Sequence, residues 1–504
     1  MPNKPNTWGC IPMNKTMSIE LMPMLLSTKA LKLATLTCAL TLAGCSMMPT
    51  YERPAAPVAA QWPDASTATT NQADRPAADL AWQDFVGDAP LRELIRLALA
   101  NNRDLRVAVL NMEQVRAAYQ IRRADQFPTL NLAATGLRQP STDGSGGISS
   151  VYTAGLAMAS WEIDFFGRVA SLKESALAQY LASDEARKAA QTSLIAAVAN
   201  TWLSLQTNDE LLALTQRTLV TRDDSLRLTK LRLDNGAASA LDFRQAESLT
   251  AQARATLAQQ RRLRALDVNA LTLLVGQPLP DTLLTTSATA PAFRDVPAGL
   301  PSDLLTRRPD IRQAEQQLIA ANASIGAARA AFFPRISLTA SAGSASSELS
   351  GLFKNGSWGW TLAPQALLPI FDAGRNQANL DSSNVGRDIA VAQYEKAIQT
   401  AFREVADALA GRATLDEQVQ AQQVQLDAEA DRFRLADLRY RNGVASYLDI
   451  LDAQRSLFAI QQGVAQTKLA YLQNQVTLYK ALGGGASDRD AVEKSALQKK
   501  EVKP

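Results

Sequence analysis

Leucines stand seven residues apart at Leu205, Leu212, Leu219, Leu226 and Leu233, and Val419, Leu426, Phe433 and Tyr440 keep the same interval later in the chain. Sustained heptads predict long helices that meet along coiled-coil seams. Neither Pro nor Gly interrupts Val169 to Asp234, so the first of these helices extends to about 100 Å at 1.5 Å per residue. A rod of that length cannot fold back into one globule; it has to span something. Shorter helical patterns cover 91–125 and 303–331, as in Leu94, Leu97, Ala98, Leu105 and Val109, and stop at Pro128 and Pro334. After each Pro the period drops to two. Residues 129–138 and 335–345 alternate apolar with small or polar side chains (Leu130, Leu132, Ala134; Ile336, Leu338, Ala340), and 151–165 and 357–370 follow after Gly/Ser-rich turns. That pattern predicts a β-hairpin in each half.

The halves are copies of one unit. Asn235-Gly236 and Leu241-Asp242 recur 207 positions later as Asn442-Gly443 and Leu448-Asp449, as do Arg168 at Arg375 and Gly276 at Gly483. Asp104-Leu105-Arg106 matches Asp310-Ile311-Arg312, and Pro128 matches Pro334, at 206. Anchors this consistent define a tandem repeat. The first copy covers 81–290, with a hairpin at 129–165 and a long helical hairpin at 168–276. The second covers 291–485, with a hairpin at 335–370 and a helical hairpin at 375–483. A polar, charged tail at 486–504 reads as disordered.

The first 44 residues have the layout of a secretory signal: Lys29 and Lys32, an apolar run from Leu33 to Leu42, then small residues. The residues before Met22 or Met24 look like an upstream extension. Leu42-Ala43-Gly44-Cys45 is similar to the bacterial lipobox, which implies that Cys45 is acylated (diacylglycerol and fatty acyl) and becomes the new N-terminus. Ser46 does not resemble the Asp that retains lipoproteins at the inner membrane. Cys10 and Cys38 leave with the signal, so no disulfide is expected. Residues 45–80, rich in Pro, Ala and Thr, predict an extended tether between lipid and body.

Composition narrows the function. Without the four lysines and one glutamate before Cys45, the 52 basic and 49 acidic residues become 48 of each, which is not the charge of a nucleic-acid binder. Histidine is absent; His-based acid–base catalysis and the usual zinc or iron sites go with it. No catalytic constellation, metal site or GxxxxGK[ST] nucleotide loop is expected, so an enzyme is disfavoured and energy must come from elsewhere.

No apolar run of about 20 residues follows the signal, so only the hairpins are candidates for crossing a bilayer. A spanning sheet must close, and four strands fall short of the smallest usual barrel of about eight. Three copies would supply twelve. The alternative is a small soluble sheet capping a helical bundle; the lipobox and the aromatic Tyr152, Trp161, Trp358 and Trp360 weigh against it.

Leu300-Pro301-Ser302-Asp303-Leu304-Leu305 and Arg307-Arg308-Pro309-Asp310-Ile311 resemble the signature of TolC-type outer-membrane factors, in particular the NodT/OprM-like lipoproteins of RND efflux systems. Phe332-Phe333-Pro334 with Ile336, Asp164-Phe165-Phe166-Gly167-Arg168, Phe371-Asp372-Ala373-Gly374-Arg375 and the opening Trp82, Phe85, Asp88 and Leu91 carry the same resemblance, over about 80–485. It implies a mainly α protein with a membrane β-barrel: a homotrimer with a twelve-stranded barrel in outer-membrane lipid, four strands per chain, joined to a coiled-coil α-barrel and an equatorial domain. Its implied partners are a periplasmic adaptor (membrane fusion) protein and an inner-membrane RND pump, and its implied role is export of small toxic compounds.

The turns between the long helices are the candidate sites. Asn235, Gly236 and Ser239 in the first, and Asn442, Gly443 and Ser446 in the second, read as exposed tips for adaptor docking. Each glycine suits a left-handed helix end, and Ser239-x-x-Asp242 and Ser446-x-x-Asp449 look like capping boxes. Asp452 lies past the cap, where the first repeat has Gln245, and Arg455 stands where it has Ser248. The resemblance places Leu448, Asp452 and Arg455 at a closed periplasmic aperture, where three like charges must be paired; Arg455 is expected to hold the carboxylates between chains or helices. The alternative is a solvated i,i+3 pair. Polypeptide or metal-ion export and a poreless envelope-spacing coiled-coil lipoprotein remain as rival functions.

Overall fold

The computed structural model describes residues 46–63, 76–140, 147–284, 293–299 and 301–486. The signal, Cys45 and the tail from 487 onward lie outside the described residues. Each repeat opens with two helices, α1 (Ala89–Asn101) and α2 (Arg103–Ala124) in the first, α5 (Pro301–Arg307) and α6 (Pro309–Ala330) in the second. Strands β1 (Leu130–Pro140) and β2 (Ile148–Ile163) follow in the first repeat, β3 (Arg335–Ser346) and β4 (Trp358–Leu367) in the second. The long hairpins are α3 (Arg168–Asp234) with α4 (Ala240–Val275), and α7 (Arg375–Arg441) with α8 (Tyr447–Ala481). Both α3 and α7 run for 67 residues, about 100 Å.

Periodicity predicts single helices over 91–125 and 303–331, and the structure breaks both at equivalent points. Asn102 is extended (φ −60°, ψ 132°), its side chain accepts from the Leu105 amide, and it donates to the Leu274 carbonyl at 2.9 Å. Arg308 is extended ahead of Pro309, whose ring disfavours a helical residue before it, and donates to the Ala481 carbonyl at 2.9 Å. Leu274 and Ala481 are themselves 207 apart. The break therefore lets each repeat seal the last turn of its returning helix, whose carbonyls lack intrahelical partners. Arg308 is buried and also holds Asp310 (2.6 Å) and Glu404 (2.8 Å). Burial alone would raise the Asp310 pKa, but the hydrogen bond and charge of Arg308 outweigh it and hold the carboxyl below its ordinary value. A depressed pKa stabilises above the unfolded value, and the gain is lost as pH falls through the folded one. Thermal melts should show Asp310→Asn less stable than wild type near neutrality, with the gap closing in acid.

The core gathers where the hairpins converge with the helices that precede the strands. Trp202, Leu91, Leu94, Ile95, Ile311 and Tyr479 are almost inaccessible there. Phe85 stacks on Tyr479 with centroids 4.0 Å apart, and Trp202 donates to Asp88 at 2.8 Å. The expected hairpins form and join into one antiparallel sheet, ordered β1-β2-β3-β4, with a bulge between Met158 and Trp161 where β2 meets β3. The sheet leaves β1 and β4 as open edges. Its side chains are largely exposed, Leu132, Trp358 and Trp360 among them, and Phe127, Ile370 and Phe371 project just outside the strands.

Residues 46–63 hold no helix or strand and are not free of the body, and at the far end of the expected 45–80 tether Ala77–Asp79 form a 3-10 helix with Ala77 and Leu80 buried. Met48 lies against Gly326, the Pro49 carbonyl accepts from Asn322 (2.8 Å), and Tyr51 and Arg53 converge on the buried Glu315 carboxylate at 3.0 and 2.7 Å. Trp62 stacks on Phe402 at 4.9 Å and donates to the Gly299 carbonyl. Contacts on Gly326, Asn322 and Glu315 follow one face of α6, so the strap runs antiparallel to it. Burial and the Glu315 charge push the Tyr51 hydroxyl up, which keeps it a donor. Charged hydrogen bonds are worth about 1.5–3 kcal/mol each; Glu315→Gln should make amides 50–56 exchange with deuterium on the order of ten-fold faster.

Candidate functional site

The two tips are built alike, down to individual hydrogen bonds. Gly236 and Gly443 both sit at φ 73°, a left-handed conformation that side-chain-bearing residues avoid. Gly236 and Ala237 amides return to the Leu233 and Arg232 carbonyls, and Gly443 and Val444 to those of Tyr440 and Arg439. This double closure satisfies carbonyls the ending helix leaves over. Asn235 and Asn442 cap further carbonyls, of Leu231 and Leu438, at 2.7 and 2.8 Å. Ser239 with Asp242 and Ser446 with Asp449 form complete capping boxes at the starts of α4 and α8. The tips leave apolar surface in solvent: Leu241, Val444 and Leu448 are each more than half exposed.

Just behind the tips, a cleft of about 450 Å³ is lined by Gln245, Ser248 and Leu249 of α4 and by Leu448, Leu451, Asp452 and Arg455 of α8. The structure thus sets the neutral positions of the first repeat against their charged counterparts in the second. Asp452 is held on both sides. Arg455 reaches one carboxylate oxygen from the same helix, three residues on, and Arg432 of α7 reaches the other. The pairing between helices therefore falls to Arg432, while Arg455 pairs along α8. Arg432 also binds Glu429 at 3.0 Å, and its hydrogen bond to Asp452 raises its pKa above the ordinary guanidinium value.

Arg432 escapes a reading confined to the turn, because it lies twenty residues before Asp452. The signal that finds it is the repeat itself: its counterpart 207 positions earlier is Ser225. Ser225/Arg432, Gln245/Asp452 and Ser248/Arg455 are three neutral-to-charged exchanges, and in the second repeat all three residues meet. In the first, Ser225 instead bonds the Tyr447 hydroxyl, and Arg232 the Tyr440 hydroxyl, tying the two helical hairpins together near the tips. Among the described residues there is no cluster of metal-ligating side chains and no helix long and apolar enough to cross a membrane.

A family model described as outer membrane efflux protein matches residues 94–277 and again 300–484, once for each repeat. The chain is 50% identical over 454 residues to the antibiotic efflux pump outer membrane protein ArpC of Pseudomonas putida, and equally to the toluene efflux pump outer membrane protein TtgC of that organism. These alignments cover 89% of this chain and 94% of each relative. Among solved structures, the open state of the MtrE outer membrane channel of Neisseria gonorrhoeae matches with a TM-score of 0.80 at 42% identity, over 88% of this chain and 99% of that one.

Proposed function

Because the chain belongs to the outer membrane efflux protein family, we propose that it is the passive, gated outer-membrane duct of a tripartite pump that expels small toxic compounds. Three copies form the duct. A periplasmic adaptor docks at the tips, an inner-membrane RND pump supplies cargo and energy, and acylated Cys45 anchors each copy. The duct performs no chemistry on what it carries.

The observation that carries this reading is a set of surfaces used once inside the chain and left open once outside it. Within the chain, α3 packs on α6, burying Ala178 and Ala182. Their counterparts 207 positions on, Val385 and Ile389 of α7, are 57% and 54% exposed. The counterpart of α6 is α2, which has no buried residue and shows Val107, Leu110 and Ile121 to solvent. A second copy laying its α2 on α7 repeats the internal packing, and the same step brings the β1 edge to the β4 edge. Such a head-to-tail contact generates a ring when its rotation closes, and pairing the last free β1 and β4 edges requires that closure. Two copies give eight strands, whose interior side chains fill; three give twelve and leave a lumen. The exposed apolar tips suit helix-hairpin docking, and the paired charges behind them suit a constriction that a partner opens.

A photo-crosslinker at Val444 tests the reading in cells. The expected catch is a periplasmic adaptor, and deletion of the chain should sensitise the cell to small amphiphilic toxicants. Capture of peptidoglycan or lipid alone would favour a poreless spacer, and loss of a secreted polypeptide on deletion would favour polypeptide export.

A further inference from the structure

On the opposite side of α8 from the tip cleft, a second cleft carries positive charge that the chain does not neutralise. It opens between the first helical hairpin and the second, lined by Arg217 and Arg222 of α3, Phe433 of α7, and Gln454, Phe458 and Gln461 of α8. Gln454 and Gln461 stand two and nine residues beyond Asp452, about 200° and 180° around the helix. With Asp452 facing the duct axis, this cleft faces the periplasm. It lies about 18 Å up from the end of α3, twelve residues from Asp234 at 1.5 Å each.

Arg222 is only 3% exposed. One terminal nitrogen donates to the Leu249 carbonyl at 2.8 Å and the guanidinium lies 5.1 Å from the Phe458 ring centroid, but its Nε is buried without a partner. No carboxylate among the described residues pairs with Arg222 or Arg217. The Gln454 carbonyl oxygen is likewise buried and unpartnered; with its amide turned over, it would offer a second donor. A buried cation lacking a counter-ion is costly, and desolvation lowers the Arg222 pKa accordingly. In the second repeat the equivalent position is Glu429, which has Arg432. The unpaired cation of the first repeat therefore has no equivalent in the second.

We infer that this cleft seats an acidic side chain carried on a helix of the docked periplasmic partner. A carboxylate satisfies the Arg222 Nε and the exposed Arg217 together, as a charge-assisted, multidentate pair. A free small anion would leave the half-buried Phe433 uncovered, whereas a helix lying along the groove covers it while delivering the charge. The inference rests on the adaptor-docking reading above and adds a contact well removed from the tips.

The test uses the full-length protein in cells, with a photo-crosslinker at Gln461 or, separately, at Val444. The expected result at Gln461 is capture of the same partner as at Val444, mapping to a helical segment with Asp or Glu within one turn of the crosslinked residue. Arg222→Met, which keeps the bulk against Phe458, should lower Gln461 capture at least ten-fold and Val444 capture much less. Arg217→Glu, on an exposed residue, does the same if Arg222→Met fails to assemble, and replacing the partner's acid by Lys restores capture to Arg217→Glu. Capture at Val444 but not Gln461, capture of a segment without an acid, self-capture of this chain, or indifference to both substitutions overturns the inference and leaves the proposed function standing. Capture of no partner at either position removes both.

Discussion

Cysteines placed at Ala118 and Ser382 will link separate copies of this chain into a covalent trimer. The expectation comes from one hydrogen bond. Ser175 of α3 meets Ser324 of α6 at 3.1 Å inside the chain, and the repeat carries those positions to Ser382 of α7 and Ala118 of α2. Both are exposed in the single copy. If a neighbour's α2 takes the place that α6 takes internally, the two side chains come within disulfide range. After removal of the signal only Cys45 remains as a native cysteine, and its expected acylation leaves no competing thiol. Oxidation of the double variant should move more than half of the chain into a ladder that ends at three copies on a denaturing gel. Either single variant should stay monomeric there. A ladder ending at two or four would refute the twelve-strand closure, and no ladder would refute the repeat-to-repeat correspondence.

The second large effect is expected at Asp452. This carboxylate binds two arginines at once, Arg432 across the helices and Arg455 along its own. Asp452→Ala leaves Arg455 unpaired in each copy and Arg432 with Glu429 alone, one uncompensated positive charge per copy and three in a trimer around one axis, and like charges in a constriction repel. Conductance of reconstituted trimers should rise on the order of ten-fold, and cells should become permeable to large antibiotics. Arg432→Ser, which installs the residue of the first repeat, should give the same direction with a smaller change. Asp449→Ala is the control. That residue caps α8, so its loss should cost about 1 kcal/mol of stability and leave conductance alone. Equal conductance for Asp452→Ala and wild type would end the gate assignment.

Most of the fold is legible in the sequence because its long elements carry strong periods. The heptads of α3 and α7, the two-residue alternation of the strands and the glycine tips are local signals, and the structure has each in place. The helix breaks at Asn102 and Arg308 are not local signals. They depend on carbonyls of Leu274 and Ala481, 172 and 173 residues away, so apolar spacing runs straight through them. The strap is hidden for a similar reason: Pro and Ala around Tyr51 and Arg53 specify extension, but only the distant Glu315 specifies where it docks. At the site, Leu448, Asp452 and Arg455 stand out against the first repeat. Arg432 stands out only once position 225 is compared with it, and Arg222 only once burial shows that it lacks a counter-charge.

The equal lengths of α3 and α7, with α4 and α8 at 36 and 35 residues, make this molecule a ruler whose graduations are residues. One heptad is about 10 Å of reach. Inserted into one leg alone, it would skew a tip; inserted into one hairpin, it would leave that tip overhanging its neighbour by a whole graduation. The reach of the duct can therefore change only by four matched insertions at once, two per repeat. Its length should be frozen by that arithmetic while its surface residues drift, and a cell needing a wider envelope gap must lengthen the partner instead.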